Sequence, residues 1–319
     1  VSGFVPSAEQ RALVSAIEGP IAALLPIVRL HGYSDRVRLR DLAGLGCLGI
    51  AIDETLGGAG LGSVEEALVF ERLGRRLVSP SVLASVIAAQ VAADEMARAI
   101  VSGERSVALT LPDGERLLLI DAADPADLVL RLDGDGATLF AGSALSDRHS
   151  LDAGRWSIPL AHAVLAGDPV AKGDDTAAQR AHLLCAAALA GIASAARDMA
   201  VDYAKTREQF GKPIGAFQAV KHHCADMAVE AMAAADLTGF AAVALADGRD
   251  DAALLIDAAL SVAIRAAIRN AGLNVQIHGG IGFSDECDAH LFLKRAHVWE
   301  RIAGGLDAAH ARLTNVRRG

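Results

Sequence analysis

Arg207-Glu208-Gln209-Phe210-Gly211-Lys212-Pro213-Ile214, continuing to Phe217-Gln218, interrupts two long alanine-rich stretches of this 319-residue chain. Arg207 offers a permanently charged fork of donors suited to phosphate oxygens. Phe210 offers an apolar plane, and Gly211 and Pro213 turn the backbone out of a helix. Gln218, opening the next helix, carries an amide that both donates and accepts. Taken singly, Arg207 reads as a helix C-terminal cap and Phe210 as core. As one string they have no simple packing rationale and point to a ligand with phosphates and flat rings. A second string, Gln276-Ile277-His278-Gly279-Gly280-Ile281-Gly282-Phe283, follows about one long helix pair later. Its glycines let backbone amides approach a ligand without obstruction by Cβ. His278 is expected to line that loop or pack against it.

The two strings, in this order and at this spacing, resemble the signatures of the acyl-CoA dehydrogenase family. The resemblance implies FAD as cofactor, contacted by Arg207, Phe210, Gln218, Gln276, Gly279 and Gly280. In the family these motifs reach a flavin held mainly by a neighbouring subunit across a dimer interface. The implied reaction is α,β-desaturation of an acyl-CoA thioester, with electrons leaving to an electron-transfer flavoprotein. A family Glu after the second motif, in a Tyr-Glu-Gly-Thr type of sequence, removes the substrate's α-proton. Counted without a gap, the matching stretch here is Ile302-Ala303-Gly304-Gly305, and Ala303 cannot take a proton. Some relatives place the Glu on an earlier helix, where this chain reads Arg180-Ala181-His182, again without a carboxylate. Glu300 lies one helical turn before Ala303 and stands as a substitute base. Its competing reading is an ion pair with Arg295 or Arg301.

Outward from the motifs, the pattern is helical, then strand-like, then helical. Residues 1–105 read as helices around a glycine loop, Gly57-Gly58-Ala59-Gly60, with Ser63 opening a Glu-rich helix. Residues 106–172 read as a reduced β-domain with strand-like runs at 107–111, 117–120, 128–132 and 137–140. Asp133-Gly134-Asp135-Gly136 is the hairpin signal between the last two. The family's flavin-facing strand, Thr-Glu-Pro-x-x-Gly-Ser-Asp, survives only as a trace in Leu109-Thr110-Leu111-Pro112-Asp113-Gly114. Trp156-Ser157-Ile158 is a poor match to the family's Trp-Ile-Thr/Ser element. Pro169 to Asp175 reads as a linker, and residues 173–319 as a helical bundle with helices near 176–206, 217–247, 251–279 and 286–317. The fold class is thus mainly α with a small β-domain, in the acyl-CoA dehydrogenase arrangement. The bundle's apolar faces exceed what one core needs, so it is expected to mediate oligomerisation.

Composition narrows the partners. A formal net charge of -9 with no basic face argues against nucleic acid. The longest apolar run, Leu183 to Ala196, falls short of the roughly 18 residues of a bilayer span, so no membrane is expected. Cys47, Cys185, Cys224 and Cys287 lack paired spacing, and the first residues show no leader pattern. They read as reduced thiols of a cytoplasmic protein. His222-His223-Cys224 and Cys287-x-x-His290 lack a recognised zinc spacing, so no metal is expected.

The length, the missing base and the eroded β-segment resemble the shorter chain of heterotetrameric actinobacterial steroid-degrading acyl-CoA dehydrogenases. That implies an α2β2 partner carrying the catalytic Glu, and an acyl-CoA substrate of sterol-derived type. Two alternatives stay open: a self-sufficient homomeric dehydrogenase using Glu300, and a flavin-free acyl-CoA-binding scaffold.

Overall fold

A computed structural model describes residues 3–32, 39–121, 125–133, 136–151 and 157–315. They form two compact units. The first comprises residues 8–69 and 78–184; the second comprises residues 1–7, 70–77 and 185–319.

The first unit begins with α1 (Ala8–Leu24) and α2 (Leu39–Gly44), then a loop through the glycine cluster into α3 (Ser63–Arg75). Next come α4 (Pro80–Val91) and α5 (Asp94–Val101). Ser79 caps α4, its Oγ accepting from the Ser81 amide at 3.2 Å, with Pro80 at the first helical position. That hydroxyl donates to Asp121 at 2.5 Å. Every residue from Val82 to Ala89 is buried, so α4 has no polar face. Such a helix belongs in a core, and α4 accordingly packs on the sheet.

That sheet has seven strands: β1 (Val107–Asp113), β2 (Arg116–Ile120), β3 (Leu128–Asp133), β4 (Gly136–Ala141), β5 (Leu145–Ser150), β6 (Leu160–Leu165) and β7 (Ala171–Gly173). The order is β5-β6-β2-β1-β3-β4-β7. Only β1 and β3 run parallel, with Val107 opposite Leu128 and Thr110 opposite Arg131; all other pairs are antiparallel. The four expected strands are present, and Asp133 pairs with Gly136 across the expected hairpin. Gly134 and Asp135 at its tip, and Trp156, lie outside the described residues. The expected linker at Pro169–Asp175 is instead partly strand, because Ala171–Gly173 adds to the sheet edge beside β4. A three-residue edge strand has no hydrophobic alternation to announce it. β5 was equally hidden: all but its first residue are exposed.

The first turns of α6 (Asp175–Thr206) also belong to the first unit. There Arg180 donates to Glu66 of α3 at 2.6 Å, and Gln90 of α4 approaches the same carboxylate at 3.4 Å. Glu66 is 1% exposed. Burial pushes its carboxyl above the ordinary range, and the Arg180 charge and hydrogen bond oppose that rise.

The second unit is the bundle of α6, α7 (Gln218–Ala246), α8 (Ala252–His278), α9 (Ala289–Ile302) and α10 (Leu306–Asn315). Residues 185–190 of α6 are buried, four of the six being alanines whose small side chains let helices close up. Asn270 of α8 donates to the carbonyls of Ala193 at 3.1 Å and Met227 at 2.9 Å, tying three helices through one buried amide. The expected fourth helix is broken. Gly304 and Gly305 take φ of 83° and 86°, a left-handed pair that ends α9 and starts α10 afresh.

By length and hydropathy alone, three helical stretches reach the dimensions of a bilayer span: Ala8–His31, α6 and α7. The sequence reading counted only the uninterrupted apolar run and missed this. In α6, 72% of the apolar window is buried inside the protein. In α7 only 39% is, and Val229, Met232 and Phe240 stand exposed.

Candidate flavin-binding site

The bundle's connectivity brings both motifs to one end. α7 runs back from α6, and α8 runs back from α7. The C-terminus of α6, the N-terminus of α7 and the C-terminus of α8 therefore share that end. Tyr203, in the last turn of α6, stacks on His278, the last residue of α8, with ring centroids 4.1 Å apart and planes 22° apart.

Beyond Tyr203 the chain leaves the helix as a two-strand hairpin, β8 (Glu208–Gln209) against β9 (Lys212–Pro213). The Ile214 amide donates to the Arg207 carbonyl at 2.8 Å and closes it. Its two tip residues, Phe210 and Gly211, have φ of 54° and 76°. Successive left-handed residues match the twist of a tight hairpin. Phe210 nonetheless pays steric strain there that a glycine would avoid. The Phe210 ring is 90% exposed. It meets Phe217 edge-on at 6.2 Å, while the Lys212 ammonium sits 4.4 Å above Phe217. The Phe210 plane is therefore held outward by the backbone, and the cation–π contact steadies the Phe217 ring that it meets edge-on.

On the neighbouring turn, α8 ends at Gly279 (φ 66°, ψ -143°), a conformation essentially reserved for glycine. A Cβ added at Gly279 or Gly280 would meet nothing within 4 Å, so the backbone there faces open space. Gly282 differs. Its added Cβ would lie 2.6 Å from the Val275 carbonyl oxygen, so this glycine serves packing and not ligand approach. The sequence reading had given all three the same role.

All six residues assigned to the cofactor, Arg207, Phe210, Gln218, Gln276, Gly279 and Gly280, are exposed and stand at this end of the bundle. A charged donor fork, an outward aromatic plane, two amides and an open glycine backbone fit the phosphates, rings and hydroxyls of FAD. The described first unit shows a contrast. Thr110, on the strand matched to the family's flavin-facing motif, is wholly buried and donates its hydroxyl to the Leu130 carbonyl at 3.2 Å. Asp113 on the same strand is paired with His162 at 2.9 Å. These polar groups are used within the sheet.

The position expected to match the family's base is closed. Ala303 is 0% exposed and caps α9, its amide donating to the Trp299 carbonyl at 3.0 Å. Glu300 accepts from His297 Nδ1 at 2.9 Å, so its partner is a histidine one turn back and not Arg295 or Arg301 as expected. Residues three apart on a helix are surface neighbours, whereas positions one or five apart do not face each other, so the spacing favours His297. At the alternative base position Ala181 is 2% exposed, and Arg180 beside it is held by Glu66. Glu66 is the ionisable group that sequence reasoning missed. Its only local signal is a second glutamate in a first turn already supplied with Glu65. Among the described residues no cluster of three metal-binding side chains is present.

Two sequence profiles match the chain: the acyl-CoA dehydrogenase N-terminal domain over residues 7–102 and its C-terminal domain over residues 175–317. The chain is 39% identical over 285 residues to the acyl-CoA dehydrogenase FadE34 of Mycobacterium tuberculosis, covering 83% of this chain but only 40% of FadE34. It is 32% identical to the acyl-CoA dehydrogenase IpdE2 of Mycolicibacterium smegmatis, covering 92% of this chain and 91% of IpdE2. Among solved structures, one chain of the Tcur3481-Tcur3483 steroid ACAD superposes with a TM-score of 0.80 at 25% identity, covering 97% and 98% of the two chains. One chain of the ChsE4-ChsE5 complex from Mycobacterium tuberculosis does so with a TM-score of 0.79 at 25% identity, covering 99% and 98%. With both motifs assembled at one end of the bundle and both domain profiles matched, the chain belongs to the acyl-CoA dehydrogenase family, whose members are FAD-dependent flavoproteins.

Proposed function

We propose that this chain is the supporting subunit of a two-chain, α2β2 acyl-CoA dehydrogenase, lending cofactor contacts to a partner that carries the catalytic Glu. The observation that carries this reading is Ala303, a buried methyl at the position of the family's base. Desaturation needs a carboxylate at the substrate's α-carbon. FAD, when bound, accepts the hydride from the β-carbon. This chain holds and orients through Arg207, Phe210, Gln218, Gln276 and the Gly279-Gly280 backbone, and supplies no group to take the α-proton.

Three further facts support a partner. Two similar solved structures bear the names of two-protein assemblies. More than half of FadE34 lies outside its match to this chain, leaving room there for a second such chain. The exposed Val229, Met232 and Phe240 of α7 are apolar surface that an assembly would cover. The steroid ACAD neighbour supports a sterol-derived acyl-CoA as substrate, and the family resemblance implies an electron-transfer flavoprotein as acceptor.

The test is the visible absorption spectrum of the chain purified alone and after co-expression with an adjacent full-length dehydrogenase. Flavin bands only in the complex, at one flavin per pair of chains, are expected. A yellow chain that desaturates acyl-CoA alone would establish a homomeric enzyme, with Glu300 the first residue to replace. A colourless complex would establish a flavin-free scaffold.

A further inference from the structure

We infer that Tyr203 and His278 are positioning residues, a clip that holds the Arg207–Ile214 hairpin and the Gly279–Phe283 turn in register. The inference deepens the proposed cofactor role and rests on it. Three rungs connect α6 and α8. Asn270 donates to the Ala193 carbonyl at 3.1 Å, and Asn274 donates to the Met199 sulfur at 3.4 Å. The Tyr203–His278 stack is the third. Asn270, Asn274 and His278 recur every four residues, so they share one face of α8. Met199 and Tyr203 share one face of α6 in the same way.

The last rung differs from the others in kind. It joins two flat rings, and both helices end beside it: Arg207 follows Tyr203 by one turn, and Gly279 follows His278 directly. The His278 ring is 7% exposed and fixed on a second side. Its Nδ1 lies 2.8 Å from the Asn274 carbonyl, which can only accept, so Nδ1 carries the proton and donates. A ring fixed by stacking and by one hydrogen bond sets the direction in which the chain enters Gly279. The hairpin gains the same fixation, because the Arg207 amide donates to the Tyr203 carbonyl at 2.8 Å. Two aliphatic side chains would fill the space without fixing either plane.

The experiment is hydrogen exchange on the full chain, with flavin retention measured in the co-expressed complex. Tyr203→Leu is expected to speed amide exchange in the Gly279–Phe283 turn about three- to tenfold, the worth of one aromatic stack. The α7–α8 turn is expected to stay unchanged. His278→Leu is expected to speed exchange in the Arg207–Ile214 hairpin by a similar factor, since coupling is reciprocal. It also tests the clip from the other side if Tyr203→Leu does not fold. Tyr203→Phe keeps the stack and is expected to match the parent protein. Exchange that rises only in the variant's own turn overturns the clip. Raised exchange across the stack with unchanged flavin retention overturns the cofactor role while leaving the clip standing.

Discussion

The two ends of the catalytic signature have opposite physical character in this chain. At the motif end, a phenylalanine is held outward on a left-handed backbone and two glycines face open space. At the other end, Ala303 is buried as the cap of α9 and the chain turns away through Gly304 and Gly305. Left-handed backbone is exposed at the motif end, whereas ordinary close packing closes the Ala303 end.

The largest expected effect comes from forcing the closed end open. Ala303→Glu puts a carboxyl into a site with no exposure. A loss of about 3 kcal/mol or more is expected in a denaturant titration at neutral pH, without dehydrogenase activity in the chain alone. An unchanged midpoint with new activity would show that the base position is accessible after all.

Close behind is Arg180→Met, which leaves Glu66 buried without its cation. The expected cost near neutral pH is about 3–5 kcal/mol. Its pH dependence identifies the cause. Glu66 has a folded pKa raised above the ordinary value of 4.5, so the folded state binds that proton more tightly than the unfolded state. Its contribution is fully present below about 4.5 and declines as pH climbs through the folded value. Stability of Arg180→Met should therefore recover towards acid relative to the parent chain. A pH-independent deficit across thermal melts would exclude Glu66 as the source.

A paired substitution tests the motif end. Gly282→Ala drives a methyl against the Val275 carbonyl and should cost about 1–3 kcal/mol. Gly280→Ala meets nothing, should leave the melting temperature unchanged, and should weaken flavin retention in the complex. Equal effects on stability would erase the distinction drawn between these two glycines.

The smallest effect on stability is expected from Arg207→Ala, at an exposed position, within about 0.5 kcal/mol. Flavin affinity of the complex should nonetheless fall at least about tenfold, the value of one charged hydrogen bond. Unchanged flavin content in dialysed complex would remove Arg207 from the site.

Much of this was legible before any coordinates. The Arg207 and Gln276 strings combine residue types with no other joint rationale, and helix periodicity located α6, α7 and α8 to within a residue or two. Four strands were readable because they alternate or run apolar for at least four residues. β5, β6 and β7 were not: an exposed strand and a three-residue edge carry no such pattern, and His162 interrupts the apolar run of β6. The break before α10 was written in Gly304-Gly305 and was passed over in favour of a continuous helix.

The sequence by itself determined the family resemblance, the helical and sheet regions, and the absence of a carboxylate at Ala303. These depend on residue identity and on backbone preferences that act within one or two turns. Tertiary structure alone decided that Ala303 is buried, that Glu66 meets Arg180 across 114 positions, and that Tyr203 lies on His278. It also decided that Gly280 is open while Gly282 is packed. Burial and contact between distant positions arise from how helices pack, and no local pattern encodes which side chain meets which.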